Sequence, residues 1–193
     1  LEGKGKKQFR NGDLEEGFFV NDELHGNGKI IYKSGRIVIG NFSDGLLEGE
    51  GSITESNGNY QKGNFLNNKL DGNGEKKTDL YIYKGNFKEG KFSGSGVFEW
   101  LNSDGQKFSG EFSDGLRNGP GVLYTPDGFS ISGRWILDCP VGEMTLSMYM
   151  SSLKDYSFIG NWTYSNCMLE TKTTVSIKNE PSEKSVLKKI IEY

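Results

Sequence analysis

Few side chains in this sequence are equipped for covalent or metal chemistry. Cys139 and Cys167 belong to no Cys-x-x-Cys pair, and His25 is the one imidazole in 193 residues. A structural zinc site takes about four Cys or His ligands, so that class is excluded. A Ser-His-Asp or Cys-His apparatus has only His25 to build on. Both cysteines are expected as ordinary reduced thiols. Carboxylates are plentiful, but they fall mainly in turn sequences such as Ser43-Asp44-Gly45 and Ser113-Asp114-Gly115, where an Asp side chain bonds nearby backbone instead of a substrate. Gly-x-Gly pairs recur, yet none continues to a third glycine at the dinucleotide spacing or opens a helix. His25 stands before Gly26 at a place held in other units by Glu48, Asp71, Ser93 and Asn118, which argues against a special role. The expectation is a non-enzyme with no metal and no cofactor.

Composition says what must position these residues. Glycine reaches 28, proline only 4, and alanine is absent. Alanine is the best helix former and each interior glycine costs about 1 kcal/mol against it, so a helical protein is excluded. Glycine, Asn, Asp and Ser, together with 12 Phe, 9 Tyr and 3 Trp, describe short strands joined by tight turns. With 34% hydrophobic residues, a sheet that buries one face is easier to build than a thick core. The formal charge of -3 gives no field suited to nucleic acid. No run approaches the roughly 18 apolar residues of a membrane span. Leu1-Glu2-Gly3-Lys4 lacks a signal-peptide core, and the chain is read as cytoplasmic, which leaves the sequons at Asn41 and Asn161 without consequence.

Self-similarity organises the chain. Gly-x-Gly recurs at Gly3, Gly26, Gly49, Gly72, Gly94 and Gly119, in steps of 23, 23, 23, 22 and 25. Between these pairs Gly-x-aromatic recurs at Phe19, Phe42, Phe65, Phe87, Phe112, Trp135 and Trp162. After each Gly-x-Gly come β-forming residues and a second turn signal, such as Ser34-Gly35 or Asp127-Gly128. Each unit therefore reads as one β-hairpin. Strand alternation puts Val38, Gly40 and Phe42 on one face, and likewise Tyr83, Gly85 and Phe87. A stripe of aromatic rings results, with glycine notches in which a ring lies flat over neighbouring backbone, two of them expected from each Gly-x-Gly pair. Asn41, Ser43, Lys62, Asn64, Lys84, Asn86, Ser109 and Glu111 fall on the opposite, solvated face.

The units resemble the MORN (membrane occupation and recognition nexus) motif, roughly Tyr-x-Gly-x-(Phe/Trp)-x-x-Gly-x-x-x-Gly-x-Gly. Gly85 to Gly96, preceded by Tyr83, and Gly110 to Gly121, preceded by Phe108, carry the resemblance best. Asp22, Asn68 and Asp138 replace the mid-hairpin glycine, as residues that tolerate a left-handed backbone. Met144 replaces the second glycine of the sixth unit's pair. The fold expected is all-β: a single-layer, elongated, twisted antiparallel ribbon of about seven consecutive hairpins over residues 1–165, roughly 65 Å long at two strands per hairpin. A tail follows at 166–193, in which Val186, Leu187, Ile190 and Ile191 share one helical face and form a short capping helix. The first strand, starting inside a unit, reads as an edge cut from a longer protein.

For function, the resemblance implies a non-catalytic module found at membranes or cytoskeletal structures. The residues point to a protein or peptide ligand held in an aromatic groove of the third to fifth units, lined by Tyr81, Tyr83, Phe98, Trp100, Phe108 and Tyr124. Alternatives are the targeting region of a larger enzyme, of the SET-type lysine methyltransferase or lipid kinase kind, and a phospholipid-binding module using the modest basic clusters at Lys4, Lys6, Lys7 and Arg10 and at Lys184, Lys188 and Lys189. Homodimerisation through an end of the array is the remaining partner reading.

Overall fold

The computed structural model describes residues 1–102, 105–150, 153–161, 163–165, 168–170 and 176–178, with side chains described through Ser147. The described chain is all strand and turn. In chain order the strands are β1 (Gly3–Gln8), β2 (Leu14–Val20), β3 (Glu23–Ile31), β4 (Ile37–Ser43), β5 (Leu46–Thr54), β6 (Tyr60–Leu66), β7 (Lys69–Lys77) and β8 (Tyr81–Lys88). They continue with β9 (Lys91–Trp100), β10 (Lys107–Ser113), β11 (Leu116–Tyr124), β12 (Phe129–Ile136), β13 (Cys139–Met150), β14 (Leu153–Asn161), β15 (Thr163–Ser165), β16 (Met168–Glu170) and β17 (Ser176–Lys178). From β1 to β14 every strand pairs antiparallel with its chain neighbour in one open sheet, to which β17 adds beside β14; β15 and β16 pair with each other. The tail segment expected to form a helix, residues 181–193, and the last ring of the stripe, Trp162, lie outside the described residues.

Two kinds of turn alternate, one on each long edge of the sheet. On the first edge, two-residue loops have both residues at positive φ, as at Asn21 (49°) and Asp22 (66°) or Asp114 (51°) and Gly115 (89°), which is the type I′ hairpin turn. Asp22, Asn68 and Asp138 hold the second position at 66°, 65° and 68°, as their replacement of glycine implied. On the second edge the loops vary in length. Most close around Gly35-type turns, with the Gly35 N–H donating to the Tyr32 carbonyl at 2.9 Å. The fourth unit closes through Thr78 N–H to the Tyr81 carbonyl at 2.9 Å, and the fifth through Trp100 N–H to the Gln106 carbonyl at 3.1 Å. The sequence steps of 22 and 25 arise in these two loops.

Register brings one glycine of every strand from β1 to β12 into a single row across the sheet, from Gly5 opposite Gly17 to Gly121 opposite Gly133. On one side of that row, Phe19, Phe42, Phe65, Phe87, Phe112 and Trp135 are buried; this is called the inner face below. Over the row itself lies one buried side chain per hairpin. In the first three it is Leu24, Leu47 or Leu70, from the strand after the tight turn. A Cβ on Gly51 would stand 2.8 Å from Leu47 Cδ1, and one on Gly17 2.9 Å from Leu24 Cδ2. In the next two it is Tyr83 and Phe108, from the strand before the turn: a Cβ on Gly85 would meet Tyr83 Oη at 2.7 Å, and one on Gly110 would meet Phe108 Cζ at 2.7 Å. In the sixth it is Met144, whose Cε stands 2.9 Å from a Cβ on Gly133. Close packing admits one filler per notch. Where the residue two before the glycine is Val38 or Gln61, leucine fills from the partner strand; where it is Tyr83 or Phe108, the ring fills instead.

Only one glycine of each Gly-x-Gly pair forms a notch, not both. Gly49 has φ 69° and open space around its absent Cβ, at a register shift between Gly40 and Phe42 of the facing strand. It allows a bulge, and its equivalents Gly26 and Gly142 share the conformation.

Successive tight turns are bolted together. The Asn68 N–H donates to the Leu47 carbonyl at 3.1 Å, and the Asp138 N–H to the Arg117 carbonyl at 3.0 Å. In return, Asn68 Oδ1 accepts from the Leu47 N–H at 2.8 Å and Asp138 Oδ1 from the Arg117 N–H at 2.8 Å. Glu48 and Asp71 accept from the N–H of the first turn residue of the following hairpin, Asn67 at 2.8 Å and Glu89 at 3.0 Å. His25 occupies the equivalent place in the first hairpin, with Nδ1 4.0 Å from Asp44 Oδ1.

Space and conformation separate the two glycines of a pair experimentally. Gly51→Ala is expected to lower stability by about 1–3 kcal/mol through overpacking against Leu47, and Gly51→Asn by more. Gly49→Ala costs about 1–2 kcal/mol for its left-handed backbone, and Gly49→Asn recovers part of it. Urea midpoints of the four variants check this.

Candidate protein-binding groove

The inner face changes character along the array. Just beyond the glycine row, register aligns Ile30, Val38 and Ile53, then Gln61 and Lys76, then Tyr83, Phe98, Phe108, Leu123 and Ile131. Gln61 and Lys76 interrupt the apolar row and bound its aromatic half. There, Tyr81 faces Trp100 and Tyr83 faces Phe98 across β8 and β9. Tyr81 stacks on Phe98 with centroids 4.7 Å apart and planes 25° from parallel; Phe98 lies 4.6 Å from Trp100. Phe92 stacks on Tyr83 at 4.0 Å and meets Tyr81 edge-on at 5.8 Å. Offset stacks and edge contacts of this kind hold rings in place beyond their burial alone.

The six residues expected to line a groove divide into three groups. Tyr81, Phe98 and Trp100 are half-buried and pack against the core. Tyr83 and Phe108 have no exposed surface: they fill glycine notches and offer no contact surface. Tyr124 lies outside the groove. It pairs with Lys107, one residue out of phase with the inward Phe108 and Leu123, and its ring sits on the other face with Lys107 Nζ 5.1 Å above it. Two exposed side chains that sequence reasoning missed lie in the adjoining loops. Leu80 and Leu101 are 61% and 42% exposed, and the Leu101 N–H donates to the Leu80 carbonyl at 2.8 Å. Their exposure had no periodic signal, because they belong to the irregular loops.

At the far end of the groove Arg117 takes the place that Leu24, Leu47 and Leu70 hold elsewhere. Its guanidinium lies 4.2 Å from the Trp135 ring centroid, 5.4 Å from that of Phe108 and 5.9 Å from that of Trp100. Asp138 fixes it, with Nε donating to Oδ1 at 3.0 Å and Nη2 to the Asp138 carbonyl at 2.8 Å. A paired cation on an aromatic face is a stable way to cover rings with a polar residue.

Among the described residues no group of three or more His, Cys, Asp or Glu is arranged to hold a metal ion, and no helix is long and apolar enough to cross a membrane. Cys139 is disulfide-bonded, which corrects the expectation of a reduced thiol there. Pairing depends on closeness in space, to which spacing along the chain is blind. Cys167 lies outside the described residues.

The model of the MORN repeat matches residues 1–14, 16–35, 39–60, 62–77, 83–105 and 108–130. The chain belongs to the MORN repeat family. Alsin from Rattus norvegicus, Mus musculus and Homo sapiens is 30% identical to it over 96 residues, which cover 47% of this chain and 5% of each relative. This chain therefore spans a small part of the length of the relatives it matches. MORN arrays are generally non-catalytic repeat modules that bind proteins or membranes. Two of the MORN segments open on a ring that fills a glycine notch, Tyr83 and Phe108.

Burial pushes the Tyr83 hydroxyl up to about 12, with the charge of Glu111 adding to the effect; its Oη donates to the Asn86 carbonyl at 3.0 Å. Burial raises Tyr81 as well. A proton held more tightly in the folded MORN array than in the unfolded chain stabilises fully below the ordinary tyrosine value of 10.0, and that contribution is lost as pH rises through about 12. Stability is therefore expected to fall above pH 10. Tyr83→Phe should make the fall shallower while costing about 1 kcal/mol at neutral pH for the lost hydrogen bond; urea midpoints against pH read both effects.

Proposed function

We propose that this array is a non-catalytic scaffold that holds a partner protein or peptide on its inner face, with Tyr81, Phe98 and Trp100 as contact side chains. The observation that carries this reading is the half-buried, mutually stacked Tyr81, Phe98 and Trp100, with exposed Leu80 and Leu101 in the adjoining loops. Rings fixed by their neighbours lose little freedom on binding, and Trp and Tyr are the side chains most often found as anchors. The partner is held in the cytoplasm, near a membrane or cytoskeletal structure, as family membership suggests.

A second reading has its own observation. Alsin is matched over only 5% of its length, so arrays of this kind occur as short parts of much longer proteins. On that reading the array is the targeting region of a larger enzyme, and the groove docks that enzyme onto its site of action. Phospholipid binding is the weaker alternative.

Replacing Tyr81 and Trp100 together by alanine is expected to weaken partner capture at least about tenfold, equivalent to about 1.4 kcal/mol, with a urea midpoint that still shows a folded array. Tyr124→Ala, on the other face, should leave capture unchanged. Pull-downs with quantitative mass spectrometry compare the three proteins; equal capture by the double variant would rule out the groove.

A further inference from the structure

The outer face of the third and fourth hairpins carries a concentration of charge that the groove does not use. In a chain of net charge -3, the outward positions of β6, β7 and β8 hold Lys62, Lys69, Lys77, Lys84 and Lys88 against two carboxylates, Asp71 and Glu75. Asp71 is engaged by the Glu89 N–H. Glu75 stands between Lys62 and Lys84 in one cross-strand row. Its Oε2 lies 3.2 Å from Lys62 Nζ and 3.4 Å from Lys84 Nζ, and the Tyr60 hydroxyl donates to its Oε1. One carboxylate shared by two ammonium groups leaves that row positive.

Around it, Lys69, Lys77 and Lys88 make no ion pair among the described residues. Lys88 directly faces Lys91 across the tight hairpin, and only Lys91 has a counter-charge, Asp114 at 3.2 Å. Like charges directly opposite destabilise a strand pair, so the fold keeps this pair at a cost. Between the lysines lie Asn64, Asn73 and Asn86, the last two paired across β7 and β8. Their side-chain amides make no hydrogen bond within the described residues.

We propose that this outer lysine and amide face of β6 to β8 binds an acidic, extended segment of a partner polypeptide, on the opposite side of the sheet from the aromatic groove. Carboxylates of the segment pair with the lysines that lack a partner. The asparagine amides donate to its carbonyls and accept from its N–H groups, as each amide offers both functions. An extended backbone alternates N–H donors and carbonyl acceptors in the way that the asparagine amides pair with, so the surface favours a polypeptide over an anionic membrane.

The test uses the full chain and a fluorescein-labelled oligo-glutamate peptide, followed by anisotropy at physiological ionic strength, where non-specific attraction between exposed charges is screened beyond about 8 Å. Saturable binding is expected. Lys69→Glu, Lys77→Glu and Lys88→Glu combined should weaken it at least about tenfold, and the Gln version of the same triple variant by less. Because these lysines make no internal ion pair and Lys88 faces Lys91, both variants should melt at or above the temperature of the unmodified protein. Asn64→Ala with Asn86→Ala should weaken binding as well, whereas Trp100→Ala should not, which keeps this surface separate from the groove. Unchanged affinity in the Glu triple variant would overturn the proposal. So would absent peptide binding alongside sedimentation with phosphatidylserine vesicles, which would assign the surface to a membrane.

Discussion

A row of missing side chains governs this molecule. With glycine opposite glycine from β1 to β12, the inner face has a furrow at right angles to the strands. A single-layer sheet has no second layer to fill such a furrow, so the sheet must fill it from its own two flanks. Leu24, Leu47 and Leu70 reach in from one flank, Tyr83 and Phe108 from the other. A β-carbon on the row would collide with the filler or with facing backbone, while a smaller filler would leave a void. The two requirements fix each other, and burial of the neighbouring Phe19, Phe42, Phe65, Phe87, Phe112 and Trp135 follows.

The exchange of fillers has a functional side. Once Tyr83 occupies the furrow from β8, Phe92 is released from that duty and stacks on Tyr83 instead. Phe98, Tyr81 and Trp100 then extend the stack toward the irregular edge, where each stays half-buried. The half-buried aromatic stack is thus a by-product of which strand supplies the filler. In the first hairpins, where leucine fills, the row that holds Phe98 holds Ile30, Val38 and Ile53 instead, which are buried.

Much of this was legible in the residues. The period, the hairpins, the antiparallel order and the stripe from Phe19 to Trp135 follow from spacing and alternation, which are local properties. Three things were not legible, for physical reasons. The choice between Leu47 and Tyr83 as filler is a matter of volume competition across two strands. The displacement of Tyr124 to the other face depends on counting strand phase from Gly121, where the aromatic type alone suggested a groove position. The hydrogen bonds that Glu48, Asp71 and Asn68 accept from turns and strands of neighbouring hairpins link residues about twenty apart, and a column that varies among Glu, Asp, His, Ser and Asn gives no local sign of them. The disulfide at Cys139 was hidden for the same reason of distance along the chain.

The two edges of the sheet do not tolerate change alike. On one, two-residue turns are locked to their neighbours by main-chain and carboxylate bonds. On the other, the loop between β7 and β8 has dropped a residue and that between β9 and β10 has gained two, while Gly74 still meets Gly85 and Gly96 still meets Gly110. Indels on the free margin are absorbed without dephasing the lattice. A lineage, or a protein engineer, therefore has one margin along which new recognition loops can be grafted hairpin by hairpin, and another that acts as the binding of a book whose pages must stay in order.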